Sequence, residues 1–303
     1  MSEAGNALVE LSEGIASAVE RAAGWTVLVA ARRRIPASGV VWGAGGVIVT
    51  ADHAVEQDED IRLLLPDERE TTAELVGRDP STDLAVLRAA DAASVAPAEQ
   101  VPADEVRVGQ IALAVGRPGR GGVQASMGVV SAIGRPQMRR RRGPDALVRS
   151  DATLFPGFSG GPLIDASGRA IGVNTSRFRP HDGVTIPTAV VSRVVGALLA
   201  NGRIRRAYLG IGSHAVPLQA ALASKAGGQE SGLLIVSVEA GAAAESAGVL
   251  VGDILVSVAG EAVRGTEDLQ TALASELVGA EVRLGILRGG EPVELQATLG
   301  ERP

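Results

Sequence analysis

Residues 157–173 read GFSGGPLIDASGRAIGV. Two short apolar segments, PLID at 162–165 and AIGV at 170–173, flank the turn residues ASGR. Apolar runs of this length on either side of a glycine-containing turn are typical of a β-hairpin. We therefore expect the serine at position 159 to lie in a loop that enters a hairpin, and not between a strand and a helix.

Ser159 suggests chemistry because glycines surround it on both sides. Acyl transfer needs preorganised N–H donors for the oxyanion that develops on a substrate carbonyl. The backbone N–H groups of Gly157 and Ser159 can supply them, so we assign Gly157, Phe158 and Ser159 to a predicted oxyanion hole. Taken alone, the same string also fits a glycine-rich hairpin without a function.

A serine hydroxyl needs a base to become a nucleophile, and the chain has three histidines, His53, His181 and His214. His53 follows the apolar segment GVIVTAD, and Asp83 precedes the apolar segment LAVLR. An aspartate entering a core needs a hydrogen-bond partner such as an imidazole N–H. We predict a catalytic triad of His53, Asp83 and Ser159. Its order along the chain is that of the chymotrypsin-like arrangement and differs from the subtilisin and α/β-hydrolase orders.

The chain around these residues is rich in short β-branched segments. Twelve of them follow one another at the spacing of antiparallel sandwiches or barrels, namely WTVLVA, GVVW, GVIVT, IRLLL, AELVG, LAVLR, QIALAV, MGVVSAI, ALVRS, PLID, AIGVNT and GVTIP. Helical spacing precedes them at 7–22 and follows them at 188–201, where Thr188 is a predicted N-cap. These patterns define an N-terminal helix within residues 1–24 and a mostly β domain at 25–202.

The remaining residues form a second predicted unit at 203–303, after a short linker near 202–206. Its five apolar segments are YLGIG, GLLIVSVE, DILVSVAG, EVRLGILRG and VELQATL. Helical segments are predicted near 217–225, 241–247 and 266–277. Strands mixed with a few short helices indicate a small α+β domain.

Composition excludes several classes of protein. The net charge of −6 argues against a nucleic-acid partner, because proteins that bind nucleic acids do so through basic surfaces that neutralise phosphates. The chain has no run of eighteen apolar residues, so we expect no membrane span. It has no cysteine, hence no disulfide, thiol nucleophile or thiolate zinc site. The N-terminal stretch lacks the features of a secretory signal, and on that ground we expect a cytoplasmic protein.

Four motifs together resemble the HtrA/Deg family of serine proteases, in which a trypsin-like domain precedes one or more PDZ domains. They are GVIVTADHAV around His53, DPSTDLAVLR around Asp83, SMGVVSAIGR at 126–135, and DATLFPGFSGGPLID around Ser159. The resemblance covers residues 25–301. It implies a chymotrypsin-like double β-barrel followed by a small α+β PDZ domain, and endoproteolysis of unfolded or regulatory polypeptides. It also implies catalysis without a metal or cofactor, a homo-oligomer, with a trimer favoured, and an extracytoplasmic location if the family pattern holds by another route.

The sequence departs from the family pattern beside the nucleophile, where Phe155 and Phe158 replace the two asparagines of NPGNSGGP. The backbone donors survive this change, but two apolar rings can occlude or reshape the neighbouring pocket. Thr153, six residues before the nucleophile, forms the predicted base of the specificity pocket, together with Asn174 and Thr175. No acid is present there to meet a substrate Lys or Arg, so we expect cleavage after small or medium apolar residues.

The second unit carries the predicted peptide reader. In the family, a loop similar to YLGI binds the C-terminal carboxylate of a peptide through successive backbone N–H groups. The groove is expected between this loop and the helix at 266–277. Its predicted residues are Tyr208, Leu209, Gly210, Ile211, Leu269 and Leu273. The two leucines of the helix would serve equally well in a plain core.

Two functions remain open from the sequence. The first is an active protease that cuts polypeptides and reads peptide C-termini. The second is a proteolytically silent chaperone or peptide-binding scaffold, held closed by Phe155, Phe158 and the loop at 176–183 (SRFRPHDG), which is short and lacks the GIGFAIP pattern usual in the family. His181 and Asp182 in that loop are interpreted as a solvated tip. Labelling of Ser159 by a fluorophosphonate distinguishes the two functions.

Overall fold

The computed structural model describes residues 3–32, 35–134, 146–178, 183–204, 207–273 and 278–301. The chain divides into two units, residues 1–204 and 205–303. Within the described ranges, no helix is long and apolar enough to cross a membrane.

The first unit contains twelve strands, which coincide with the twelve predicted segments. The first six are β1 (Thr26–Ala30), β2 (Ala37–Gly43), β3 (Val47–Ala51), β4 (Ile61–Leu64), β5 (Glu70–Asp79) and β6 (Leu84–Arg88). The second six are β7 (Ile111–Gly116), β8 (Gln124–Gly134), β9 (Leu147–Ser150), β10 (Pro162–Asp165), β11 (Ala170–Thr175) and β12 (Gly183–Pro187). They form two closed barrels, with orders β1-β2-β3-β6-β5-β4 and β10-β11-β12-β9-β8-β7. The predicted mostly β, chymotrypsin-like double barrel is confirmed.

The strands that face the other barrel are buried along their whole length. Every residue of β3 and of β11 is buried, and these two strands contact each other. A strand covered on both faces needs a continuous apolar run instead of an alternating one, which is the pattern of VIVTA and AIGVNT. The contact between β3 and β11 brings their C-terminal ends into one region. Thr175 ends β11 there, and His53 follows β3.

Two helices flank the barrels. In helix α1 (Glu3–Ala23), residues 6–14 are exposed, and Ala18 and Ala22 near its end are buried against the barrels. Helix α2 (Thr188–Asn201) begins as predicted, but the N-cap prediction is wrong. Pro187 is the N-cap residue, and the Thr188 hydroxyl instead donates a hydrogen bond of 2.9 Å to the carbonyl of Val101.

The second unit has its own sheet and core. Its strands are β13 (Ala207–Tyr208), β14 (Ile211–Pro217), β15 (Ser231–Val238), β16 (Ile254–Val258), β17 (Glu261–Ala262), β18 (Glu281–Arg288), β19 (Glu291–Thr298) and β20 (Gly300–Glu301). Its helices are α3 (Ala220–Lys225), α4 (Ala243–Ser246) and α5 (Thr266–Ala272). The main sheet has the order β14-β15-β16-β18-β19, with β17 paired to β16. Among the described strands, β14 lies at an edge of this sheet and pairs on one side only, with β15.

Candidate active site

His53 and Asp83 meet at the end of the first barrel. His53 lies in a short 3-10 turn, Asp52–Ala54, directly after β3. Asp83 directly precedes β6, which pairs with β3, and has a positive φ of 59°. Its carboxylate accepts two hydrogen bonds from the same histidine, one of 3.0 Å from the backbone N–H to Oδ1 and one of 2.7 Å between Nδ1 and Oδ2. The second contact fixes the ring orientation and favours the proton on Nδ1, so Nε2 is the nitrogen that can accept a proton.

Thr175 is a third partner of this carboxylate. Its hydroxyl donates to Oδ2 of Asp83 from the end of β11, across the interface between the barrels. Asp83 is fully buried, and a buried carboxylate needs several donors to offset its lost hydration. The guanidinium of Arg177 lies 4.0 Å from Oδ1 at the outer side. Thr175 is predicted from the sequence to line the specificity pocket, and no local motif indicates its hydrogen bond to Asp83.

A second acid lies beside the histidine. Asp52 is buried, and its Oδ1 makes no hydrogen bond to any described residue. Burial raises the pKa of the Asp52 carboxyl above its ordinary value of 3.8, while the Arg78 guanidinium opposes this rise. Nη1 of Arg78 lies 3.4 Å from Oδ1 of Asp52. The candidate site therefore combines two acids with two nearby cations, and in the described ranges no cluster of His, Asp or Glu could hold a metal ion.

The loop that carries Ser159 lies against the first barrel. Gly160 has a φ of 84°, and a Cβ atom there would lie 2.1 Å from the carbonyl oxygen of Ser38. Only glycine allows this left-handed conformation and this close approach without strain. The sequence SGG thus lets the loop pack tightly beneath the first barrel, next to the end of β3.

Between residues 157 and 161, two backbone N–H groups have no partner among the described residues. Those of Gly157 and Ser159 donate to no acceptor among the described residues, whereas the Phe158 N–H donates to the carbonyl of Phe155 at 3.0 Å. Of the three residues of the predicted oxyanion hole, only Gly157 and Ser159 therefore have an N–H without a described partner, and the prediction for Phe158 is corrected because its N–H is already bonded. Its N–H already satisfies a carbonyl within the turn.

The Phe158 ring does not lie in the cleft. It is fully buried in the core of the second barrel, with Leu163 and Ile171 among its neighbours. Phe155 is 43% exposed and packs edge-on against it, with ring centroids 5.3 Å apart. An apolar ring in place of the usual asparagine is therefore accommodated by packing in the barrel interior.

The Ser159 hydroxyl has a partner other than histidine. Its Oγ lies 3.0 Å from Oγ of Ser176, and within the described part of the chain the side chains of Ser159 and His53 form no hydrogen bond. Catalytic hydrogen bonds are often long in ligand-free proteins and tighten only with substrate. Ser176 is not among the site residues predicted from the sequence.

Comparison with known proteins identifies the family. A trypsin-like peptidase domain matches residues 37–173, and a PDZ domain matches residues 208–299. The periplasmic pH-dependent serine endoprotease DegQ of Escherichia coli strain K12 is 33% identical over 86% of this chain and 58% of its own length. A DegP-like protein of Chlamydia trachomatis is 32% identical over 90% of this chain and 55% of its own length. The structure of the HtrA-type protease AlgW with a decapeptide superposes with a TM-score of 0.81 at 30% identity, covering 95% of this chain and 99% of that chain.

The chain belongs to the HtrA family of serine proteases. It spans a little over half the length of these two curated relatives. The serine endoprotease of Yersinia pestis has the same fold, with a TM-score of 0.77 at 28% identity over 95% of this chain and 98% of that chain.

In this HtrA chain the three residues of the predicted specificity pocket lie in different environments. Thr153 is exposed, and its carbonyl accepts a hydrogen bond of 2.6 Å from the Ser126 hydroxyl. Asn174 is fully buried, with its side chain bonded to the carbonyl of Pro162 and the hydroxyl of Thr185. Because the side chain of Asn174 is committed to the barrel interior and that of Thr175 to Asp83, Thr153 is the member left accessible. His181 and Asp182 lie outside the described residues.

The PDZ domain presents free N–H groups at the predicted carboxylate loop. Those of Leu209 and Gly210 donate to no acceptor among the described residues. Gly210 has a φ of 77°, and a Cβ atom there would lie 2.1 Å from the Cβ of Ala242. The hydroxyl of Tyr208 donates to the Glu239 carboxylate, which orients the start of the loop.

The leucines of the predicted groove belong largely to the core of the PDZ domain. Leu209 and Leu269 are buried in that core, and Leu273 and Ile211 are partly buried against it. Helix α5, which carries Leu269, ends at Ala272, and residues 274–277 of the predicted helix lie outside the described residues. Strand β14, which is partly buried to exposed along its length, is therefore the most exposed element of the predicted groove.

Proposed function

We propose that this chain is a serine endopeptidase that cleaves polypeptides through an acyl-enzyme intermediate. The observation that carries the proposal is the 2.7 Å contact between His53 and the buried Asp83, beside a serine loop with free N–H groups at Gly157 and Ser159. A base held in one tautomer and a pair of unoccupied donors are the two requirements of this chemistry.

The residues act in sequence. The Ser159 hydroxyl leaves Ser176, and its oxygen attacks the substrate carbonyl carbon while Nε2 of His53 takes the proton. The carbonyl oxygen becomes an oxyanion and accepts hydrogen bonds from Gly157 and Ser159. The C–N bond then breaks, the imidazolium gives its proton to the leaving amine, and an ester forms on Ser159. A water, deprotonated by His53, hydrolyses this ester and restores the serine.

Ser159→Ala tests the assignment. A fluorophosphonate probe should label the unchanged protein and leave Ser159→Ala unlabelled, and the same change should abolish cleavage of unfolded casein because it removes the attacking oxygen. Ser150→Ala is a matched control, since the Ser150 hydroxyl is buried and finds no hydrogen-bond partner among the described residues. Cleavage by Ser159→Ala near the original rate contradicts the proposal. A folded protein that neither cleaves nor takes the label supports the silent scaffold instead.

We propose that the PDZ domain binds peptide C-termini. The free N–H groups of Leu209 and Gly210 suit a carboxylate, and the open edge of β14 suits a peptide that adds as a strand. The AlgW structures that resemble this chain were determined with a decapeptide and a tripeptide. A peptide with an apolar C-terminal residue should bind more tightly than its C-terminal amide, which lacks the charge and one acceptor oxygen. Equal affinity for the acid and the amide contradicts carboxylate recognition.

Assembly, location and domain limits are further proposals. Family resemblance supports a homo-oligomer, with a trimer favoured, and domain limits of 25–202 and 203–303. The periplasmic relative DegQ does not support the cytoplasmic location expected from the N-terminal sequence, and we propose an extracytoplasmic protein. Light scattering of the purified protein tests the oligomeric state, and fractionation of producing cells tests the location.

A further inference from the structure

Ser38 is a fully buried residue of β2 that contacts the nucleophile loop through both its side chain and its backbone. Its hydroxyl donates to the carbonyl of Gly157 at 2.7 Å and accepts from the N–H of Arg117 at 2.8 Å. Its own N–H donates to the carbonyl of Ser159 at 3.1 Å. Its carbonyl accepts from the Thr50 hydroxyl at 2.7 Å, so the residue is itself held in place.

These contacts fix two peptide planes on either side of an oxyanion donor. In the plane between residues 157 and 158, the carbonyl is held by the Ser38 hydroxyl and the N–H by the carbonyl of Phe155. In the plane between residues 159 and 160, the carbonyl is held by the Ser38 N–H and the N–H by the carbonyl of Asn174 at 2.8 Å. The plane between them carries the Ser159 N–H, which has no partner among the described residues. The carbonyl of this middle plane, that of Phe158, accepts a hydrogen bond of 2.9 Å from the Gly161 N–H, so all three planes are held and the Ser159 N–H keeps its direction.

We propose that Ser38 is a positioning residue that keeps the donors of the oxyanion hole pointed at the substrate carbonyl. This inference rests on the proposed protease function and deepens it. Ser38 touches neither the substrate nor the reacting atoms. It acts through the loop, by holding Gly157 with its hydroxyl and Ser159 with its N–H.

The hydroxyl and the backbone of Ser38 are separable by mutation. Ser38→Ala retains the N–H contact to Ser159 but leaves the Gly157 carbonyl and the Arg117 N–H without their partner. Buried groups that lose a partner favour conformations in which they find another, so the plane between residues 157 and 158, then held only through the Phe158 N–H, turns more readily. A donor that is no longer preorganised stabilises the transition state less, while binding of the ground-state substrate is unaffected.

The experiment compares Ser38→Ala with the unchanged protein and with the control Ser150→Ala. Loss of one complete oxyanion donor costs about 10²- to 10³-fold in kcat, so loosening one should lower kcat roughly 10- to 100-fold. We expect KM to stay within about twofold, since the contact matters only in the transition state. Affinity for a peptide boronic acid, whose adduct places an oxygen in the hole, should fall in parallel with kcat. Ser150→Ala should keep the kcat of the unchanged protein.

The outcomes separate this inference from the proposed function. If the unchanged protein cleaves and Ser159→Ala does not, but Ser38→Ala retains kcat and boronate affinity, the positioning role is overturned even if the melting temperature falls. If the unchanged protein is inactive, the protease proposal fails first. Should Ser38→Ala not fold, Ser38→Cys carries the same test, because a thiol fills the site but is a weak donor. Unchanged kcat and boronate affinity in that variant equally overturn the role.

Discussion

Asp83→Asn is the sharpest perturbation of the triad, because the structure dictates how the amide must sit. The positive φ of Asp83 suits asparagine as well as aspartate, so the backbone is not strained by the change. The backbone N–H of His53 lies 3.0 Å from Oδ1 and requires an acceptor, which places the amide oxygen there. The amide NH₂ then takes the position of Oδ2 and donates to Nδ1 of His53, which lies 2.7 Å away in the unchanged protein.

This forced orientation selects the wrong tautomer of histidine. With Nδ1 accepting, the ring proton moves to Nε2, which can no longer take the proton of Ser159. The triad template predicts a fall in kcat of roughly 10⁴, or about 5 kcal/mol in the barrier. The measurement is the initial rate of unfolded-casein cleavage, together with the rate of fluorophosphonate labelling.

Thr175→Val is the matched control for this prediction. It removes one donor to the same carboxylate but leaves the tautomer intact. A hydrogen bond to a charged group contributes about 1.5–3 kcal/mol, so the loss should stay below roughly 200-fold. If Asp83→Asn retained activity within about tenfold of the unchanged protein, the assignment of Asp83 to the triad would be refuted.

Three further predictions concern the PDZ domain and specificity. Gly210→Ala should abolish detectable peptide binding in titrations with an apolar C-terminal peptide, because the new Cβ meets Ala242 at 2.1 Å and the φ of 77° disfavours alanine. Burial alone would raise the pKa of Asp253, but hydrogen bonds, those from Arg288 foremost, hold it below 3.8. Asp253→Asn should therefore cost about 1–3 kcal/mol at pH 7, with the difference in unfolding free energy shrinking as the pH falls below 3.8. Sequenced cleavage products should end mainly in Val, Ala or Leu, since Thr153 offers no charge, and products ending mainly in Lys or Arg would contradict this.

The barrels could be predicted from sequence because their signal is local. Each strand is a short apolar run bounded by turn residues, and β3 and β11 show a continuous run because both of their faces are covered. Burial of such runs drives the barrels together whatever the exact partner side chains are. The glycines of the nucleophile loop are similarly local signals, because a close backbone approach excludes every other residue.

The roles of individual hydroxyl groups could not be predicted in this way. Thr188 has the local pattern of a helix N-cap, yet its hydroxyl bonds to a carbonyl 87 positions earlier in the chain. Thr175 was expected in a pocket and instead supports Asp83 across 92 positions. Ser38 reaches the nucleophile loop across 119 positions, with no motif near it that indicates this. A small hydroxyl satisfies whichever buried acceptor the fold brings within 3 Å or so, and short-range pattern carries no information about that partner.

The class of fold, the twelve strands and the residues of the predicted triad could therefore be predicted from the sequence alone. Those features depend on residue type and on spacing within a few positions. The tertiary structure alone decided that the Phe158 ring lies in the barrel core and that its N–H is already bonded to Phe155. It also decided that the Ser159 hydroxyl lies against Ser176, because directions of bonds in a closed barrel are set by contacts between segments far apart in the chain.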